Sequence, residues 1–403
     1  MTIPGAAFIV SCMTHGEGGS ARPSNARAVV LVFAVTLAYA LFEIPGGYLG
    51  DWIGPRKVLL RIVLWWSFFT AATGGAWNLT SLMVTRFLFG AGEAGCFPNL
   101  TKAFRRWLPA DERSRAQGIM WMSARWGGAI TPLLVYACLT VMTWRQAFLL
   151  FGLLGVAWAV VFARWYRDDP RTHPEVNAAE AALLPPPPPP GGDHLHVPWR
   201  RMATSRTVLC LCGQYAAMSY AWYFFVTWFP TYLLEVWKFD LKASAALAGL
   251  PLLLGGLGSL VAGWLTPPLA RRIGVGRTRR LLGAGGMAAA AGLLVASTCA
   301  TNPYVAVALI ALVSFAMDLT MPGSWTTCMD IGGRATATLG GTMNMAGQFG
   351  GFVSPILLGT IVGRTGDWQL TFHVTAIVCL AGAACWLFID PTTPLEEHTS
   401  HDA

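Results

Sequence analysis

Arg86 and Glu93 are two ionisable residues in an otherwise apolar and small-residue run, Arg86-Phe-Leu-Phe-Gly-Ala-Gly-Glu93-Ala-Gly-Cys-Phe-Pro98. Seven residues make close to two helical turns, so the spacing puts both side chains on one face, about 10 Å apart along the axis. Charges in an apolar helix are costly, and they face a bundle interior or a water-filled path. Arginine keeps its charge and offers a planar fork that fits a carboxylate. A glutamate taken out of water can exchange a proton near neutral pH. The alternative reading of the same two residues is a structural ion pair that braces two helices.

The rest of the chain must position them. It has 403 residues, 54% hydrophobic and only 12% charged, with a mean hydropathy of +0.50. Soluble domains carry about 25% charged residues, so this composition excludes an ordinary water-soluble protein. Apolar stretches recur, each long enough to cross a hydrocarbon core of about 30 Å. The fold class is therefore an all-α polytopic membrane protein. Eleven spans are expected, at 28–47, 59–77, 79–101, 117–141, 146–165, 207–233, 244–269, 281–300, 303–326, 338–362 and 370–389.

Lysine and arginine alternate between the loops. One set holds Arg56 and Lys57, then Lys102, Arg105, Arg106, Arg113 and Arg115, then 164–206, then Arg271, Arg272, Arg277, Arg279 and Arg280. The opposite set holds little beyond Arg145, Lys238, Lys242 and Arg364. The positive-inside rule puts the first set in the cytoplasm, with the C-terminus inside and the N-terminus outside. The net charge of +8 thus marks cytoplasmic loops and not a nucleic-acid partner. The nine cysteines fall mainly in apolar segments without paired ligand spacing, which supports neither a disulfide framework nor a metal site. Glycine clusters at 255–263 and 340–351 follow no strand and read as close helix packing. No nucleophile, base and orienter come together, so neither an enzyme nor a cofactor is expected.

The organisation reads as an atypical N-terminal segment at 1–27, a bundle of five spans at 28–166, a cytoplasmic linker at 167–206, a bundle of six spans at 207–390 and a cytoplasmic tail at 391–403. The apolar run at 3–13 is too short to cross a bilayer as a helix. Six consecutive prolines at 185–190 should make the linker a stiff polyproline II spacer.

The loop at 47–59 has the pattern Gly-x-Leu-x-Asp-x-x-Gly-x-Arg-Lys, with Gly47, Asp51, Gly54 and Arg56 at its fixed places. Glycines permit a tight turn between close helices, and Asp51 can cap a helix N-terminus or pair with basic groups. This resembles the signature loop of the major facilitator superfamily, and the resemblance implies a gating role. Further stretches narrow it: Arg86-x3-Gly90-x2-Glu93-Ala-x2-Phe-Pro98, Trp107-Leu-Pro-Ala-Asp-Glu112-Arg113, Trp222-Tyr-Phe-x3-Trp-Phe-Pro230, Ser324-Trp325-x3-Met-Asp330 and Met343-Asn344-Met345. Together they are similar to the anion:cation symporter family, whose members include hexuronate, aldonate and phthalate carriers.

That resemblance implies a major-facilitator fold of two bundles and alternating access. It implies proton-coupled symport of a small organic anion such as a sugar acid, with Glu93 as proton-coupling residue and Arg86 as anion site. Tyr39 matches a family cavity tyrosine, or is a packing tyrosine. Arg125 is a second anion contact, or snorkels to the interface. Asn344 and Gln348 share a helix face and would hold substrate hydroxyls or join helices. Asp318 is a second proton site, or pairs with Arg125. The expected setting is the bacterial inner membrane, as a monomer in the lipid bilayer.

Two departures stand out. No span corresponds to the family's first helix with its Asp-Arg pair, which a mis-assigned start, a frameshift or a decayed gene would explain. Thr266 and Pro267 stand where the second half usually has an aspartate. A non-transporting remnant or a membrane-embedded anion sensor is the competing class.

Overall fold

Four of the expected spans break beside a proline, while Pro45, Pro132 and Pro355 lie within unbroken helices. A computed structural model describes residues 25–184 and 197–395. The segment before residue 25, the six-proline run and the end of the tail lie outside the described residues, and so do the readings made of them. Helices α1 (Asn25–Ile53), α2 (Pro55–Gly74), α3 (Leu79–Glu93), α4 (Cys96–Trp107), α5 (Arg113–Leu139) and α6 (Trp144–Trp165) form the first half. Two short helices, α7 (Ala178–Leu183) and α8 (Trp199–Thr204), lie within the linker at 167–206. The second half holds α9 (Arg206–Thr227), α10 (Phe229–Glu235), α11 (Leu241–Leu247), α12 (Leu250–Ile273), α13 (Val275–Thr298), α14 (Pro303–Asp318), α15 (Met321–Ile331), α16 (Thr336–Thr365) and α17 (Trp368–Leu387). No strand occurs among the described residues.

The expected spans 79–101, 207–233, 244–269 and 303–326 are each two helices end to end. Every second piece carries a proline near its start, namely Pro98, Pro230, Pro251 and Pro322. A proline lacks its N–H and its ring crowds the carbonyl four residues back, so the preceding turn cannot continue. Arg86 and Glu93 therefore share α3, but Glu93 is its last residue. Beyond it Gly95 turns the chain with φ of 84°, a conformation that favours glycine.

Six helical stretches among the described residues are long and apolar enough to cross a membrane: Trp144–Trp165, Lys242–Ile273, Val275–Thr298, Pro303–Ile331, Gly333–Thr365 and Trp368–Leu387. The outer surface of the helices suits lipid. Phe68, Leu133, Tyr136, Val161 and Ile377 are 65–72% exposed, an apolar exterior that water would not tolerate. Inside the second half Phe224, Phe225, Phe229, Phe372, Trp325 and Trp386 form a buried aromatic core. At the ends remote from the basic loops, helix starts are tied by side-chain caps. Asn78 and Ser81 exchange bonds at α3, and Thr143 and Gln146 do so at α6, which satisfies otherwise orphaned N–H groups.

The two halves meet along α1 with α16 and along α5 with α12. Glycine lets the backbones approach closely, as is usual between membrane helices. A Cβ on Gly341 would lie 2.6 Å from the Glu43 carbonyl oxygen, and one on Gly263 would lie 2.7 Å from that of Ser114. One on Gly47 would overlap the carbonyl of Ala337. A Gly47→Ala variant should therefore lower the thermal unfolding midpoint in detergent, by a cost of about 1–3 kcal/mol for overpacking. Gly285→Ala, whose Cβ meets nothing within 4 Å, should leave the midpoint unchanged or raise it, since alanine is the better helix former by up to about 1 kcal/mol.

Candidate functional site

Between the halves lies a cavity of about 320 Å³, walled by α1, α3, α5, α9 and α16. Tyr39, Arg86, Glu93, Arg125, Asn344 and Gln348 all line it. Asp318 does not line it, and Gly47, Asp51, Gly54 and Arg56 sit at the basic end beyond its floor. Phe89, Phe97, Trp121, Trp222 and Tyr223 supply much of the remaining wall, which excludes water from one side of any guest.

Arg86 comes from the middle of α3 and is 4% exposed. Its Nη2 donates to the Phe69 carbonyl at 3.1 Å and to the Thr73 hydroxyl, while the Phe89 ring lies 4.5 Å from its guanidinium carbon. The α2 contacts hold the fork against the cavity wall. Glu93, at the end of α3 where the Pro98 break begins, is only half-buried and faces the cavity. Among the described residues no hydrogen bond to its carboxylate is formed.

Arg125 and Asp318 form one unit. Nε donates to Oδ2 and Nη2 to Oδ1, both at 2.8 Å, in the two-pronged geometry that arginine favours. The pair joins α5 to the end of α14 across the interface, with Asp318 fully buried. The Trp222 ring centre lies 3.4 Å from the guanidinium carbon. With its fork occupied, Arg125 presents the cavity with a compensated charge.

The floor is polar. Asn344 donates through Nδ2 to Glu43 Oε1 at 2.8 Å and lies 3.4 Å from the Tyr39 hydroxyl. The Tyr223 hydroxyl donates to Gln348 Oε1 at 3.1 Å, which leaves the amide nitrogen of Gln348 as its donor toward a guest. Glu43 was not among the residues expected from the sequence. Its signal there is a carboxylate one turn after Tyr39 in a run, Ala-Leu-Phe-Glu43-Ile-Pro, that offers it no basic partner.

Below the floor the halves are bolted together. Asp51, at the end of α1, accepts from Lys102 Nζ at 2.5 Å, from the backbone N–H of Ala337 at 3.2 Å, and from the N–H and hydroxyl of Thr338 at 2.6 and 2.7 Å. It thus both pairs with a basic group and caps a helix N-terminus, and the helix is α16 of the other half. Arg113 on α5 reaches Asp330 on α15, which Arg279 also holds, and Arg105 donates to the Gly333 carbonyl. Arg56 turns away from Asp51 and bonds within its own half, to the Ala163 carbonyl and, through its backbone N–H, to Asp168 at 2.9 Å. Gly54 takes φ of 92° where α1 turns into α2, a left-handed conformation that glycine adopts without strain. The cavity is consequently shut at the basic end.

A helical membrane protein with a charged chamber enclosed between two halves has the build of a carrier. The chain belongs to the major facilitator superfamily: the Major Facilitator Superfamily model matches residues 19–355. It is 36% identical over 371 residues to a Cupriavidus necator protein described as a probable sulfoacetate transporter, covering 90% of this chain and 84% of the relative. It is 30% identical over 384 residues to the probable L-galactonate transporter of Escherichia coli, covering 94% and 84%. Among solved structures, a bacterial homologue of the iron transporter ferroportin in its outward-facing state superposes with a TM-score of 0.70 at 14% identity, covering 96% of this chain and 95% of that one. The resemblance read from the motifs is thereby borne out at the level of the superfamily and its anion transporters.

Removing one member of a buried ion pair strands the other charge, at about 3–5 kcal/mol. Asp318→Asn should accordingly lower the unfolding midpoint sharply. The double variant Arg125→Met, Asp318→Leu should recover most of the loss, read from thermal melts of the purified protein in detergent.

Proposed function

We propose that the protein carries a small organic anion across a bacterial inner membrane together with a proton, by alternating access with its basic loops in the cytoplasm. The observation that supports this best is the cavity's charge inventory. With Arg125 neutralised by Asp318, the wall keeps, among the described residues, one cation, Arg86, and one carboxylate, Glu93. A proton on Glu93 removes that carboxylate's pull on Arg86 and so favours an anion there, and an anion at Arg86 favours the proton. The two cargoes therefore support one another's binding without touching. Relatives described as carrying sulfoacetate and L-galactonate fit a guest with one acidic group and polar oxygens, and Asn344 and Gln348 are placed to meet the latter. A sugar acid is the guest that suits this wall best.

In this reading the present arrangement, shut at the basic end, faces outward. Loading Arg86 and Glu93 lets the halves rock about the midplane site; the Asp51 bonds then part and the cavity opens to the cytoplasm. The chain acts as a monomer, because cavity and latch are built within one polypeptide.

Glu93→Gln should retain substrate counterflow across proteoliposomes and lose proton-driven accumulation; accumulation at the normal level would overturn its role. Arg86→Ala removes a charged hydrogen bond of about 1.5–3 kcal/mol, so anion binding should weaken about tenfold or more. Asp51→Ala should slow turnover more than it weakens binding, measured as kcat against KM for uptake. Saturable anion binding without flux in any vesicle preparation would replace the carrier reading with that of a membrane-embedded sensor.

A further inference from the structure

Glu43 occupies a place that disfavours an ionised carboxylate. It is fully buried, beneath the cavity floor and outside the cavity lining. Oε1 accepts from Asn344 at 2.8 Å, whereas Oε2 is buried and makes no hydrogen bond of ordinary geometry among the described residues, with the Tyr39 hydroxyl close to the carboxyl. The ionisable groups that face it are Tyr39 on its own helix, Glu93 and Cys96 at the junction of α3 and α4, and Tyr215 on α9. The Gly95 backbone N–H also points to it. None of these is a cation. Lys102 of α4 is held by Asp51, two turns further along α1 than Glu43. An unpaired charge withdrawn from water takes up a proton rather than bear the desolvation cost.

A neutral acid fits the surroundings. It keeps one oxygen as acceptor for the Asn344 amide and carries its proton on the other. Should the amide be turned over, the acid would donate to its oxygen instead, so a neutral Glu43 suits either orientation. The site also lies where the halves meet. Asn344 belongs to α16, 301 residues away in the chain, and Gly341 on the same helix packs on the Glu43 carbonyl. Separating α1 from α16 would break the Asn344 bond and wet the carboxyl at once.

We propose that Glu43 is a second proton-carrying group, protonated while α1 and α16 are in contact and deprotonated when that contact opens at the basic end. The proton enters from cavity water by way of the Tyr39 hydroxyl, which lines the cavity. It leaves to water on the basic side, and no other reactant is consumed. The part this plays in transport rests on the carrier reading above; the occupancy of the site by a proton does not.

The two are separable by experiment. Infrared spectra of the full chain in lipid report a protonated carboxyl as a C=O stretch that moves to lower frequency in D2O. At neutral pH the wild type should show a band that Glu43→Gln removes and Glu93→Gln retains. The glutamine keeps the shape and the acceptor for Asn344, and thermal melts check that the variant is folded. In proteoliposomes the reversal potential gives the number of protons per anion, which Glu43→Gln should lower by one. A band that survives in Glu43→Gln, or a proton-to-anion ratio that does not change, overturns the proposal. Loss of the band in a protein whose wild type moves no anion keeps the proton site and removes the carrier reading instead.

Discussion

The closed arrangement depends on one carboxylate. Asp51 ends α1, yet its oxygens serve Lys102 on α4 and the first N–H groups of α16. A negative charge at a helix N-terminus is stabilised by the unsatisfied donors there and by the aligned peptide dipoles. Here the anion comes from one half and the helix from the other. This contact fixes the register of α1 on α16, and the register brings Gly47 onto Ala337, Gly341 onto the Glu43 carbonyl, and Asn344 onto Glu43 and Tyr39. The floor of the cavity is therefore set from its lower edge.

Electrostatics inside the cavity works by subtraction. Two arginines line it, but one is taken up by a buried aspartate that reaches it from behind. Among the described residues, what remains in the lining is one cation in the middle of α3 and one carboxylate at its end. The aromatic wall adds contact area and lowers the local polarity, which strengthens each remaining charge.

Much of this was legible before any coordinates. Arg86 and Glu93 announced themselves because charged residues are rare in apolar helices, and the loop around Asp51 because its glycines and its aspartate stand at fixed spacing. Other features rest on partners far apart in the chain. Arg125 and Asp318 are 193 residues apart and Glu43 and Asn344 are 301, and one helix's pattern carries no sign of another helix's side chain. Arg56 illustrates a different limit: its motif places it beside Asp51, but its partners are on α6 and just beyond. The helix breaks were not legible from proline alone: Pro98, Pro230, Pro251 and Pro322 each sit inside an expected span, but so do Pro45, Pro132 and Pro355, which lie in unbroken helices. Apolar composition alone cannot show that two helices share one crossing of the bilayer.

The glycine seam between α1 and α16 has a mechanical consequence. Surfaces that meet through backbone rather than through interlocked side chains have little to disentangle when they part. The free energy of closure is then concentrated in a few charge-assisted bonds at one end, each of about 1.5–3 kcal/mol. Swinging a two-state equilibrium from one extreme to the other takes about 5.5 kcal/mol, comparable with two or three such bonds. If the halves rock as proposed, they form a smooth joint with a clasp, and small changes in charge at the clasp or above it would be enough to decide which side is open.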